Sequence, residues 1–173
     1  MNHLLYFVPE RTRCTISKTF TGIVSAEVPI LSLSDNAENS TAITNNNGRT
    51  RKVELRDRTL IKDGSWNTLC LPFDVVLEGS VLEGAVAKTL TDATMEGTHV
   101  MLTFGEPVDV LEAGVPYIIK WTEGDDIVNP VFKSVTFSAP EAQVIEKADG
   151  CVKFCGYYSA FDIDTPATNK GGF

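Results

Sequence analysis

The sequence has few of the residues on which catalytic and metal sites depend. It contains two histidines, His3 and His99, and four cysteines without a Cys-x-x-Cys pair. A Ser or Cys nucleophile needs a nearby base, usually His, and structural zinc needs clustered Cys and His ligands. No glycine-rich phosphate motif and no His-Glu-x-x-His motif is present. A His-based triad, a zinc site and a nucleotide-binding loop are therefore not expected.

The chain is also short of positive charge. It has 15 Lys and Arg against 23 Asp and Glu, which gives a formal net charge of −8. Nucleic acid and anionic membrane surfaces attract clustered cations, so neither is an expected partner. The members of the one basic cluster are Arg49, Arg51, Lys52, Arg56 and Arg58. Glu54 and Asp57 interrupt it, and we interpret it as a solvated strand face, with an anion site as the alternative.

No apolar run is long enough to cross a membrane or to form the core of a secretory signal. The apolar residues 4–8 also follow no basic segment. Membrane insertion and a signal peptide are therefore not expected. The chain is expected to be either cytosolic or an excised part of a longer exported protein.

The cysteines are interpreted as buried free thiols. Cys151 and Cys155 share a face if their segment is a strand, but they then lie roughly 13 Å apart at about 3.3 Å per residue. A direct disulfide needs its two Cα atoms within about 7 Å, so these two cannot bond each other. Buried thiols of this kind behave as small apolar side chains.

The stretch with the strongest pattern is residues 59–77, in which a turn signal precedes the most apolar segment. A strand here presents one apolar face made of Leu69, Leu71, Phe73, Val75 and Leu77. Pro72 lacks an amide donor, which predicts an edge strand, a bulge or a bend at that point. Asp63-Gly64 predicts a hairpin turn from Leu60 into this strand, and Asn47-Gly48 predicts another tight turn. Residues 108–112 are expected to form a single helical turn.

No segment sustains a 3.6-residue period, and strands recur every 8 to 12 residues or so, as in sandwiches and barrels. The prediction is an all-β, mostly antiparallel β-sandwich, with a jelly-roll-like arrangement or a partly open barrel as alternatives. Its boundaries are an irregular extension over residues 1–27, the sandwich over 28–165 and a tail over 166–173. The expected core is Val53, Leu55, Leu69, Leu71, Phe73, Val75, Leu102, Phe104, Ile118, Val135, Phe137 and Phe154.

Two kinds of candidate site remain. Trp66, Trp121 and Tyr117 are candidates for stacking on sugar rings, although both tryptophans flank core strands and equally suit covering the end of the core. Calcium is the one ion considered, because it prefers clustered oxygen ligands. Its candidate ligands are Asp35, Asp125 and Asp126, with Asn36, Glu38, Asn39, Asp162 and Asp164 as further loop oxygens. Solvated turn residues explain the same pattern, and no other cofactor is expected.

Several strings in the chain carry a family resemblance. The most specific is WNTLCLPFDV at residues 66–75, and residues 31–40, 112–121, 127–132 and 154–158 support it by order and spacing. Together they resemble an all-β domain of secreted and cell-surface proteins of gut Bacteroides and relatives, usually described as adhesins or as uncharacterised. The resemblance covers roughly residues 30–161. It implies an exported β-sandwich-like module, located extracellularly or at the cell surface.

The leading functional hypothesis is a non-catalytic surface module that binds a glycan, a protein or a neighbouring domain of a longer chain. It rests on the resemblance and on the lack of a catalytic constellation. A structural spacer or assembly domain is the first alternative. An unrecognised hydrolase is the second, although the 23 acidic residues single out no pair.

Overall fold

The computed structural model describes residues 29–159, which form strands and one short helix. The elements are β1 (Leu31–Ser34), α1 (Ser40–Asn46), β2 (Thr50–Arg56), β3 (Thr59–Leu60), β4 (Asn67–Cys70), β5 (Val75–Val76), β6 (Val86–Lys88), β7 (Leu90–Glu96), β8 (His99–Phe104), β9 (Val110–Leu111), β10 (Pro116–Lys120), β11 (Ile127–Val128), β12 (Val131–Thr136), β13 (Val144–Lys147) and β14 (Val152–Cys155). The predicted all-β class is confirmed. The extension over residues 1–27 and the tail over 166–173 lie outside the described residues. Within the described part, no helix is long and apolar enough to span a bilayer.

Within residues 29–159 the strands form two three-stranded sheets, in the orders β1-β2-β12 and β4-β10-β6, and four two-stranded ones. The two-stranded sheets pair β3 with β11, β5 with β9, β7 with β8 and β13 with β14. All of these pairings are antiparallel except that of β1 with β2. A parallel pair needs a crossover connection, which α1 supplies here.

Both three-stranded sheets bury side chains in one common core. Val53 and Phe132 enter it from one sheet, and Leu69 and Ile119 enter it from the other. Phe73 contributes a ring that meets the Phe132 ring edge-on at 5.3 Å between centroids. Two sheets that share their interior residues in this way form a sandwich-like arrangement.

The strand predicted over residues 69–77 has the correct buried face, but the structure divides it into two strands. The five apolar side chains of the predicted face, at the odd positions from 69 to 77, are all buried. The ladder nevertheless breaks between β4 and β5, where Phe73 makes an isolated bridge to Phe137. Pro72 has no N–H to donate to a ladder, so the predicted bend lies at the residue that explains it.

The predicted hairpin at Asp63-Gly64 is wrong. β3 pairs with β11 and β4 pairs with β10, so the two strands that flank this turn do not pair with each other. The Asn67 side chain substitutes for a strand partner: its amide accepts from the Ile61 N–H and donates to the Ile61 carbonyl, both at 2.9 Å. The chain therefore does bend at Asp63-Gly64, but β3 and β4 each pair with a strand that is distant in sequence.

One element was missed, and one further local prediction is wrong. The residues before the turn at Asn47-Gly48 form α1, whose seven residues make about two turns and are too few to reveal a helical period. Gly48 does adopt the expected positive φ of 74°. Residues 108–112 contain the strand β9, which pairs with β5, and no helical turn.

Several predicted core residues lie elsewhere. Leu102 is on the exposed hairpin of β7 and β8, and Ile118 is only half-buried. Ile118 lies opposite Thr68, which is exposed, so the buried positions of β10 are the neighbouring Tyr117 and Ile119. Phe104 and Phe154 are likewise half-buried, and Leu55 and Val135 are half-buried but pack against the core as predicted.

Candidate functional site

A cavity of about 530 Å³ lies between β1, β4 and β14. Leu33, Leu55 and Phe154 give it an apolar floor. Asp35 and Thr68 lie on its exposed rim. The elements that meet here are far apart in sequence, so the cavity exists only once the sandwich has assembled.

Arg58 is the cationic side chain of the cavity wall. Its Nη1 lies 3.1 Å from Oδ2 of Asp35, and its Nη2 donates to the Thr68 carbonyl. Its Nε is buried and has no hydrogen-bond partner within residues 29–159. A buried donor left unpaired costs roughly 1–3 kcal/mol, so an acceptor that reached this N–H would be stabilised by it.

The wall opposite contains a thiol that does not ionise at neutral pH. Burial raises the pKa of Cys70 from 9.0 to about 11, against a smaller lowering by the Tyr158 hydroxyl. The thiol donates to the Gly114 carbonyl at 3.2 Å. Because the thiolate is the reactive form, Cys70 has the chemistry of a structural cysteine.

Gly156 lies between two lining residues, Cys155 and Tyr157, and packs so closely against Cys70 that only glycine fits there. A Cβ at this position would lie 2.6 Å from Sγ of Cys70 and 3.2 Å from the Gln143 carbonyl oxygen. The Gly156 N–H donates to that same carbonyl at 2.9 Å. The glycine therefore allows the chain after β14 to pack directly against Cys70.

Asn39 fixes one side of the cavity, and sequence reasoning assigned it only to a calcium loop. Its Nδ2 donates to the Ser34 carbonyl at 2.8 Å and to the Tyr158 carbonyl at 2.6 Å. Its Oδ1 accepts from the Ser34 N–H at 3.1 Å. The side chain thus links the loop after β1 to the segment after β14. An Asn in a loop gave no signal of this role, because its partner is 119 residues away.

The three predicted stacking residues do not form one surface. Trp121 is buried, and its indole N–H donates to the Glu83 carbonyl at 3.0 Å. Tyr117 is also buried, although it contributes to the cavity wall. Trp66 is 44% exposed, with Nζ of Lys120 4.7 Å from its ring centroid. Trp66 is therefore the one member of this set that presents a ring to solvent, and Trp121 covers the core instead.

The predicted calcium ligands are not brought together either. Asp35 pairs with Arg58, whose charge would compete with a cation. Asp126 accepts the Lys62 N–H at 2.9 Å, while Asp125 lies beside it on the surface. No group of three or more His, Cys, Asp or Glu side chains with metal-site geometry occurs within residues 29–159. Asp162 and Asp164 lie outside that range.

Comparison of the chain with protein-family models, with curated proteins and with solved structures finds no match to any of them.

Proposed function

We propose that the protein is a non-catalytic binding module that takes a glycan in the cavity beside Arg58. The observation that carries this proposal is the combination of an apolar floor with a polar rim in one concavity. Its volume of about 530 Å³ lies within the roughly 300–1,000 Å³ typical of ligand sites. A sugar ring has an apolar face and hydroxyls along its edge, which suits Phe154 on the floor and Arg58 and Asp35 on the rim.

The chemistry of the wall supports binding over catalysis. Within residues 29–159, Asp35 is the one carboxylate that lines the cavity, and it is paired with Arg58. Acid-catalysed glycoside hydrolysis generally uses two carboxyl groups that face each other across the bond. The buried Cys70 thiol stays protonated near neutral pH, because its pKa is raised to about 11. Location at the cell surface is part of the proposal and rests on the family resemblance.

A thermal-shift screen tests the proposal. The purified chain is melted with host and plant polysaccharides, mucin oligosaccharides and peptides, because a ligand that binds only the native state raises the melting temperature. A saturable rise with one glycan class is expected. At about 100 times the dissociation constant, such a ligand adds about 2.7 kcal/mol to the free energy of unfolding.

A matched pair of variants assigns the shift to the cavity. Thr68→Trp places a large ring on the rim of the cavity, and Thr94→Trp places the same ring on an exposed position of β7. The shift should be lost in Thr68→Trp and retained in Thr94→Trp, provided that both melt like the parent without ligand. A shift with peptides alone would assign a protein ligand. No shift with any ligand would instead favour the structural spacer.

A further inference from the structure

A β-bulge brings two lysines together on the sheet formed by β1, β2 and β12. In the antiparallel pairing of β12 with β2, Phe132 lies opposite Val53 and Val135 lies opposite Arg51. Two residues of β12, Lys133 and Ser134, therefore lie opposite the single residue Lys52. A bulge of this kind places two residues against one and bends its strand.

These residues line a concave surface separate from the cavity beside Arg58. Its volume is about 640 Å³, and it shares no lining residue with that cavity. Three cationic side chains and two hydroxyls belong to its wall, namely Arg51, Lys52, Lys133, Thr50 and Ser134. The other two lining residues, Pro29 and Ile30, are apolar, and within residues 29–159 no carboxylate is part of the lining. A concavity whose described charged side chains are all cations is unusual on a chain whose net charge is −8.

The nearby acids do not neutralise the two lysines. Neither Lys52 nor Lys133 makes an ion pair within the described range 29–159. Glu54, the acid two positions along β2, accepts from Oγ of Ser32 at 3.1 Å and pairs with Arg56 at 3.6 Å. Arg51 is held in place because its Nε donates to Oδ1 of Asn46 at 2.9 Å. The cations are thus placed by the fold without an internal counter-charge.

Like charges opposite each other on neighbouring strands destabilise a sheet. An oxyanion between Lys52 and Lys133 relieves that repulsion and accepts charge-assisted hydrogen bonds, with hydroxyl donors beside it. We infer that this concavity binds the sulfate ester of a sulfated glycan. Nucleic acid fits less well, because its affinity comes from many phosphate contacts and the remainder of this chain is acidic. The anion site does not depend on the function proposed for the cavity beside Arg58, whereas the choice of a glycan as the carrier of the sulfate rests on that proposed function.

The test uses a sulfated chondroitin hexasaccharide, its unsulfated counterpart and inorganic sulfate as probes, in low-salt buffer. The variant Lys52→Gln/Lys133→Gln is compared with Lys147→Gln/Lys153→Gln, which removes the same charge from the separate sheet of β13 and β14. The sulfated hexasaccharide should raise the melting temperature of the parent and of the control saturably. The apparent affinity should fall at least tenfold in Lys52→Gln/Lys133→Gln, and the unsulfated sugar should have no effect.

Folding of the variants is checked without ligand. Because a repulsion is removed, Lys52→Gln/Lys133→Gln should melt no lower than the parent at low ionic strength. The single variant Lys133→Gln, at an exposed position, repeats the test with a smaller change. Equal responses of both double variants to the sulfated sugar would overturn the inference, as would equal binding of the unsulfated sugar. Saturation by inorganic sulfate at the same concentration as the hexasaccharide would overturn the glycan assignment, and so would equally tight binding of a single-stranded oligonucleotide.

Discussion

Two stretches of the chain alternate apolar and polar side chains, but only one of them is in the core. Residues 69–77 bury all five apolar side chains of one face. In the hairpin of β7 and β8, Val100 and Leu102 share a face in the same way but are 46% and 50% exposed. Alternation therefore identifies the side chains that share a face, but it does not determine whether another layer covers that face.

The difference arises from the partners of each stretch. Residues 69–77 meet distant segments along their whole length: β4 pairs with β10, Phe73 bridges to Phe137, and β5 pairs with β9. Within residues 29–159, β7 and β8 pair only with each other. Their base is attached to the remainder of the molecule, since Ala93 is buried and the Phe104 ring meets the Phe154 ring edge-on at 5.9 Å. Their tip has no covering layer there.

The largest effect is expected from Leu71→Asp in the buried stretch. Leu71 is 2% exposed, so an aspartate there is buried without a partner, which costs several kcal/mol or protonates the carboxyl. The variant should show no cooperative unfolding transition at neutral pH when it is followed by circular dichroism. A melt that coincides with the parent would show that residues 69–77 are not central to the core.

Phe73→Ala should be the next most damaging change. The Phe73 ring is fully buried and meets the rings of Phe132 and Phe137 edge-on at 5.3 and 5.4 Å. A Phe→Ala change in a core typically costs about 3–5 kcal/mol, from lost burial and the cavity left behind. Urea denaturation should report a lower midpoint with a similar slope. The matched change Phe104→Ala, at the half-buried base of the hairpin, should cost less.

Stability should decline in mildly alkaline solution because of Cys70. Burial raises the pKa of its thiol from 9.0 to about 11, so the folded state keeps a proton that the unfolded state loses in between. This contribution is full below pH 9 and is lost as the pH rises from about 9 to 11. Urea titrations at several pH values measure how steeply the free energy of unfolding falls with pH.

Cys70→Ala is the control for this decline. Its free energy of unfolding should fall less steeply over the same pH range. Burial, together with the neighbouring Cys70, also raises the pKa of Tyr158, so Tyr158 adds a decline that is smaller in Cys70→Ala than in the parent. Equal slopes in the parent and in Cys70→Ala would show that the thiol is not shielded from water.

The smallest effect is expected from Leu102→Asp, which makes the same chemical change as Leu71→Asp in the exposed stretch. Since the Leu102 side chain is half exposed, the aspartate stays hydrated, and the free energy of unfolding should lie within about 0.5 kcal/mol of that of the parent. A loss of several kcal/mol would mean that some other part of the molecule covers the hairpin in solution.

Sequence reasoning predicted the fold better than the site. It gave the all-β class, the buried face of residues 69–77 and the bend at Pro72. The predicted burial of Val53 on β2 is also confirmed. Sequence reasoning did not predict the bulge of β12, which shifts the register and places Lys133 and Ser134 opposite Lys52. Nothing in a clean alternation of residues 131–137 signals such a shift, because the bulge is a property of the pair of strands.

The candidate site was largely beyond prediction. Arg58 was noticed only as part of a basic cluster, and Asn39 only as a loop oxygen. Trp121 and Tyr117 were chosen as aromatic residues, and both are buried. Whether an aromatic ring binds a ligand or fills a core depends on which segment packs over it, and that segment is distant in sequence.

The sequence by itself determined the properties that depend on neighbouring residues. The alternation of side chains between two faces, the bend at Pro72 and the positive φ at Gly48 follow from local stereochemistry. The tertiary structure alone decided which faces are covered, why β1 and β2 run parallel, and how Asp35, Arg58, Cys70 and Tyr158 come to line one cavity. The physical reason is that burial and strand pairing are contacts between distant segments, and their free energy depends on the whole assembled core.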